Sequence, residues 1–113
     1  MTDRYIKNMD FEAVLSLESM VSYQPGQIVS KTLAQNKALS ITLFAFAKGE
    51  EISTHASDGD ALVIALDGEG EITIDGEKHV LHKGETIIMP SKKPHAVFAT
   101  EQFKMFLIVV FPS

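Results

Sequence analysis

Side chains capable of acid–base chemistry lie close together in the middle of the chain. His55 and Ser57 are two residues apart, so in an extended strand both side chains point to the same face. A neutral imidazole both donates and accepts a hydrogen bond, and its pKa of about 6.5 permits proton transfer near neutral pH. A serine nucleophile also needs an orienting acid and an oxyanion hole, and neither is evident. The pair therefore indicates ligand binding or acid–base chemistry rather than a hydrolase.

The overall composition excludes several classes of protein. The chain has 113 residues and a formal net charge of -5, whereas binding to a phosphate backbone depends on clustered lysines and arginines. Cysteine is absent, so disulfides and thiolate ligands are excluded. The first ten residues lack the apolar run of a signal peptide, and residues 105–111 are far short of the roughly twenty apolar residues that cross a bilayer. We expect a cytoplasmic protein that binds neither nucleic acid nor membrane.

Short apolar segments separated by turn residues predict an all-β fold. Asp75-Gly76 is the strongest hairpin signal, because glycine accepts the positive φ of a primed turn, and Asp58-Gly59 and Asp67-Gly68 have the same chemistry. One helical turn is predicted within residues 10–19. The predicted strands are 27–35, 39–47, 61–66, 71–75, 79–81, 86–89, 96–99 and 104–111.

Two of these strands are apolar on both faces. Residues 71–75 alternate between apolar and polar side chains, but residues 61–66 and 105–111 do not. A barrel of this size has one interior, so the outward faces need a second cover. The cover could be the N-terminal segment or a second copy of the chain, and we predict a homodimer.

Two glycine-anchored motifs resemble those of small single-domain cupins of the cupin 2 type. The first family motif is a glycine, His-x-His, a glutamate and a glycine, and here Gly49, His55 and Gly68 match it. The second family motif is a glycine, Pro-x-Gly, a histidine and an asparagine. Here Lys92 occupies the position of its second glycine, and Ala99 occupies that of the asparagine. The members that match the second motif are Gly84, Pro90 and His95.

The resemblance covers about residues 39–111 and implies a double-stranded β-helix, the jelly-roll barrel of antiparallel sheets that cupins adopt. We expect one domain over residues 1–113, in which residues 1–38 add N-terminal strands or an arm. The 27–35 strand could pair within its own barrel or with a partner's sheet edge. Cupins commonly form dimers, which agrees with the predicted homodimer.

The resemblance also implies a site with a degenerate metal motif. The family holds a divalent metal with the two histidines and the glutamate of the first motif and the histidine of the second. Here Ser57 and Ala61 replace the second histidine and the glutamate, so His55 and His95 are the remaining ligands. The metal would be iron, manganese, nickel or zinc, or it could be absent.

The replaced residues predict a pocket for a small molecule. Ala61, Val63 and Ala65 are small, so the wall opposite His95 should leave space unless Phe44, Phe46 or Met89 fills it. An apolar cavity with a few polar groups is typical of a small-molecule site. The predicted pocket residues are His55, Ser57, Ala61, Val63 and His95.

Three functions follow from these patterns. The first is a module that binds an unknown small molecule at a degenerate or weak metal site. The alternative is a metal-dependent enzyme, a dioxygenase or isomerase, in which Asp60 or Asp58 joins the two histidines as an additional ligand. Regular alternation would turn Asp60 outward, but a bulge beside Gly59 could redirect it. The third is a structural protein with a filled barrel. His79 and His82 are expected on the surface.

Overall fold

The computed structural model describes residues 4–113, and in them it has seven β-strands and one short 3-10 helix. Every strand pairing is antiparallel, which confirms the predicted all-β fold. No helix of this part of the chain has the length and apolar character needed to span a membrane. The helix spans Leu17–Met20, and the strands are β1 (Ile28–Gln35), β2 (Leu39–Phe46), β3 (Glu51–His55), β4 (Asp60–Ile74), β5 (Glu77–His82), β6 (Thr86–Met89) and β7 (His95–Val110).

The two long strands, β4 and β7, each belong to both layers of the molecule. Residues 60–68 of β4 pair with β6 and with residues 103–110 of β7, and β7 continues through β2 to β1. Residues 70–74 of β4 pair with β5 and with residues 95–99 of β7, which in turn pair with β3. The hydrophobic core lies between these two layers, as expected for a jelly roll.

A bulge in β4 joins its two halves and reverses which residues face the core. Ala61, Val63 and Ala65 are buried, and beyond the register shifts at residues 65–70 the buried position moves to the even-numbered Ile72. The predicted turn at Asp67-Gly68 is therefore wrong as a turn and forms this bulge instead. The predicted hairpin turn at residues 75–76 is confirmed between β4 and β5, with φ of 49° and 84°.

The N-terminal segment covers part of the outer face. Val21 packs with Leu33, Leu43 and Ala45 in a second hydrophobic cluster, to which Met9, Leu17, Met20 and Tyr23 add. The hydroxyl of Tyr23 donates a 2.6 Å hydrogen bond to Asp67, and Lys104 Nζ donates one of 2.6 Å to the backbone oxygen of Glu18. The β1 strand pairs with β2 of its own chain. One of the two predicted covers is thus present within the chain.

An apolar row extends across the outer face from Ile41, which itself packs against this second cluster. Ile41, Ile108, Leu62 and Ile88 are direct neighbours across β2, β7, β4 and β6. Ile88 is 56% exposed. Outward side chains of the two strands that are apolar on both faces lie in this row. The homodimer predicted from those strands stays a prediction.

The strands differ from the sequence-based expectation in two ways. The β3 strand was not predicted, because its sequence contains one apolar residue, Ile52, between polar ones. The β4 and β7 strands were each predicted as two strands, since polar and glycine residues interrupt β4 near the bulge and polar residues interrupt β7. The 3-10 helix overlaps the helical turn predicted within residues 10–19.

Candidate functional site

His55 and His95 meet where β3 ends and β7 begins. They are direct partners in the antiparallel register of these strands, although they are 40 residues apart in sequence. Their ring centroids are 4.4 Å apart, and the ring planes form an angle of 73°. The two Nε2 atoms are 3.2 Å apart. The two histidines predicted to share a site therefore contact each other directly.

The hydrogen bonds of this pair define its neutral form. His55 Nδ1 is 2.9 Å from the backbone oxygen of Ser53, which can only accept, so Nδ1 carries the hydrogen. Nε2 of neutral His55 is then an acceptor and receives the hydrogen bond from Nε2 of His95. This leaves His95 Nδ1 as a buried acceptor without a hydrogen-bond partner in the described structure. Such an atom costs about 1–3 kcal/mol, which is a reason to look for a ligand.

Burial holds the pKa of His95 below its usual value of 6.5. The side chain is 3% exposed, and the positive charge that His55 carries when protonated lowers the pKa further. The backbone of Lys93 has a smaller, opposite effect and raises this pKa, although it makes no well-formed hydrogen bond to the ring. His95 is therefore uncharged at neutral pH.

A cavity of about 140 Å³ lies beside the pair, between the two layers of the barrel. Of the predicted pocket residues, Val63 is not among those that line the cavity, and its side chain is fully buried in the core. His55, the exposed member of the pair, lies on the solvent side. The lining residues are Phe44, Ile52, His55, Ser57, Ala61, Met89, His95, Val97, Met105, Leu107 and Val109.

The acidic residues near the first motif lie elsewhere. Asp60 pairs with Val110 in the ladder, and its carboxylate accepts a 2.8 Å hydrogen bond from the backbone nitrogen of Ser91. Together with Asp58 it lines a separate cleft. The structure therefore does not bring Asp60 or Asp58 together with the histidines, in agreement with regular alternation along β4.

The residues present do not fit a metal centre held by the protein. Within residues 4–113 there is no group of three or more histidine, cysteine or acidic side chains placed to hold a metal ion. Catalytic zinc sites use about three protein ligands, and here two imidazoles converge. The remaining polar lining group is the hydroxyl of Ser57, which donates a 3.0 Å hydrogen bond to the backbone oxygen of Gly59.

A second cluster of titratable groups surrounds His82 on the surface. Its Nε2 is 2.9 Å from Glu69 and its Nδ1 is 3.3 Å from Glu85. These hydrogen bonds raise the pKa of His82 above 6.5. Hydrogen bonds from Thr100 and then from His82 lower the pKa of Glu69, and those from the backbone and ring of His82 lower that of Glu85. The sequence predicted the exposure of His82 but not its partners, of which Glu69 is supplied by the register of β4 with β5 and Glu85 lies three residues further along the chain.

We expect the substitution His82→Gln to destabilise the protein more at about pH 6 than at about pH 9. The raised pKa of His82 contributes stability that is fully present below pH 6.5 and is lost as the pH rises through the raised value. The lowered pKa values of Glu69 and Glu85 contribute stability that is present above pH 4.5 and therefore at both pH values. Melting temperatures at the two pH values measure this. His79→Gln, in the neighbouring histidine, is the control. If His82→Gln lowered the melting temperature equally at both pH values, the expectation would be contradicted.

The fold and the site together define a class of protein. An antiparallel jelly roll with converging histidines from β3 and from the start of β7 is the arrangement that the motif resemblance implied. A family model described as the cupin domain matches residues 42–111 of the chain. The chain belongs to the cupin family.

Solved structures extend the likeness to the whole chain. A conserved protein of unknown function from Streptococcus pyogenes is 44% identical, with a TM-score of 0.98, over 100% of this chain and 99% of its own. A cupin superfamily protein from Desulfitobacterium hafniense is 35% identical, with a TM-score of 0.91, over 96% and 100%. A cupin 2 conserved barrel domain protein from Leptotrichia buccalis is 46% identical, with a TM-score of 0.83, over 85% of this chain and 47% of its own.

Proposed function

We propose that this protein binds a small molecule in the cavity beside the histidine pair, with His55 and His95 as its polar anchors. The observation that carries the proposal is an apolar cavity lined on one side by both histidines, of which His95 has a buried Nδ1 without a hydrogen-bond partner in the described structure. A folded protein rarely retains an unsatisfied buried polar atom without a role for it. The lining is otherwise mostly apolar, which is the usual composition of a small-molecule site.

The cavity owes its volume to small side chains. Ala61 lines it and is 3% exposed, and in the resembled metal-binding pattern this position carries a glutamate. A larger residue at position 61 would project into the space. The cavity therefore disfavours the third hypothesis, a structural barrel filled by its own side chains.

The substitution Ala61→Leu is expected to abolish ligand binding while the fold is retained. The added carbons occupy the cavity, and filling a cavity usually leaves stability unchanged or increased. A set of small neutral, anionic and cationic fragments, added at millimolar concentration, would be followed by methyl NMR of wild type and variant. We expect shifts at Ala61, Val97 and Met105 in the wild type only.

The matched control is Leu62→Met, one residue further along β4 on the outer face. It changes the side chain without entering the cavity, so it should bind the same fragments as the wild type. The proposal fails if no fragment shifts the cavity methyls, or if Ala61→Leu binds them as strongly as the wild type does.

Metal analysis separates this function from the alternative, a metal-dependent dioxygenase or isomerase. The closely spaced Nε2 atoms of the two histidines favour that alternative, but two ligands hold a divalent metal weakly. Protein purified without chelator is expected to retain far less than one equivalent of iron, manganese, nickel or zinc. Stoichiometric metal that is lost in His55→Ala would establish the alternative.

We also propose that the protein forms a homodimer through its outer apolar row. Isoleucine and leucine side chains that are in register across four strands give a continuous surface without charge. Light scattering at micromolar concentration should give twice the chain mass, and a monomer mass would contradict the proposal. The cytoplasmic location stays a prediction.

A further inference from the structure

The size of the cavity limits its ligand. Its volume is about 140 Å³, which is close to that of an engineered apolar cavity of about 150 Å³ that binds benzene. A molecule of roughly six to eight non-hydrogen atoms therefore fits, and a larger metabolite does not fit without movement of the wall. Phe44, Met89 and Met105 line the space, and phenylalanine and methionine side chains both make favourable contacts with an aromatic ring.

The charge of the lining excludes an ionised ligand. The residues that surround the cavity include no lysine, arginine, aspartate or glutamate. A carboxylate or ammonium group brought into this space would lose its hydration without gaining a partner of opposite charge, and such burial is strongly unfavourable. The ligand is therefore neutral when it is bound.

The free hydrogen-bonding capacity of the lining is acceptor capacity. Both N–H groups of the neutral histidine pair are used, one for Ser53 and one between the rings, and the bare nitrogen of His95 can only accept. The hydroxyl hydrogen of Ser57 is donated to Gly59, so its oxygen is left with acceptor capacity as well. A bound molecule that satisfies this polar wall must therefore bring a hydrogen-bond donor.

We propose that the cavity binds a neutral, mainly apolar, aromatic molecule of about six to eight non-hydrogen atoms that carries one hydroxyl group. The ring occupies the apolar part of the cavity, and the hydroxyl donates its hydrogen to the polar wall formed by Ser57 and the histidine pair. This inference rests on the proposed function, because it names the class of molecule that the same cavity binds.

Phenol, toluene and benzylamine at about pH 7.5 are the three probes, since they share a ring, all lie within this size limit and differ in the polar group, the amine being a protonated cation at this pH. Methyl NMR titrations of the wild type are expected to show phenol binding at least about fivefold more tightly than toluene, which corresponds to one hydrogen bond of about 1 kcal/mol. Benzylamine should leave the cavity methyls unshifted, because its ammonium group would be buried without a partner of opposite charge. Ser57→Ala should weaken phenol binding and leave toluene binding unchanged, whereas Leu62→Met should alter neither.

The outcomes distinguish this inference from the proposed function. Equal affinity for toluene and phenol, or binding of benzylamine as tight as that of phenol, overturns the ligand class while the cavity remains a binding site. Binding of other fragments but none of these three probes has the same meaning. If Ala61→Leu still binds phenol with wild-type affinity, phenol lies elsewhere and the inference is wrong. If neither these probes nor any fragment binds, both proposals are wrong.

Discussion

The substitution Gly68→Ala is expected to lower the free energy of unfolding by about 2–4 kcal/mol. Gly68 has a φ of 75°, and an alanine held in this conformation would lower the free energy of unfolding by about 1 kcal/mol. Its Cβ would also overlap the backbone carbonyl of Gln102 on the facing strand β7. Because a backbone group cannot rotate away as a side chain does, relief requires β4 and β7 to separate at the bulge, which adds an overpacking cost of about 1–3 kcal/mol.

A matched control isolates the steric part of this effect. Gly76 in the β4–β5 turn has a similar φ of 84°, but a Cβ there would meet nothing within 4 Å. Gly76→Ala should therefore cost only about 1 kcal/mol, which is a few degrees in melting temperature for a domain of this size. Urea and thermal denaturation of both variants measure the difference. Equal losses would show that the bulge tolerates a Cβ.

The second large effect is expected for Phe103→Ala, which should lower the free energy of unfolding by about 3–5 kcal/mol. Phe103 is fully buried, its ring centroid is 6.0 Å from that of Phe46, and its ring occupies the space where a Cβ on Gly70 would lie. Removal of the ring leaves a cavity at the point where both layers of the barrel meet, and rigid backbone on either side limits collapse. The cost lies therefore towards the upper part of this range.

Phe98→Ala is the control on the same strand, because Phe98 is only partly buried and belongs to neither of the core clusters. We expect a clearly smaller loss there. The free energy of unfolding from urea titration compares the two variants, with circular dichroism to verify that both fold. Losses of similar size would mean that Phe103 has no special role in joining the two layers.

The family motifs were sufficient to predict the fold and the meeting of His55 with His95. Fixed spacing from glycine anchors places both histidines at strand ends, and that information is local in the sequence. Lys92 shows how firmly the pattern holds. It stands at a position that is glycine in the resembled motif, and it keeps a positive φ of 65°.

Other features depend on contacts that no local pattern encodes. The β3 strand exists because β7 supplies its hydrogen-bond partners, so a single apolar residue is sufficient there. Val63 was predicted in the pocket because it is small and lies on the same strand face as Ala61, but it does not line the cavity. The surface network of His82 requires the register of β4 with β5. The hydrogen positions in the histidine pair follow from Ser53, which sequence reasoning did not consider.

The sharing of β4 and β7 between both layers also governs how the molecule opens. A hinge motion that parted the layers would have to break the backbone ladder of both long strands at once, and its free energy would approach that of global unfolding. Amide hydrogens on both sides of the bulge should accordingly exchange together and slowly. A molecule bound as we propose would then enter and leave past the exposed His55, at a rate set by local motions rather than by separation of the layers.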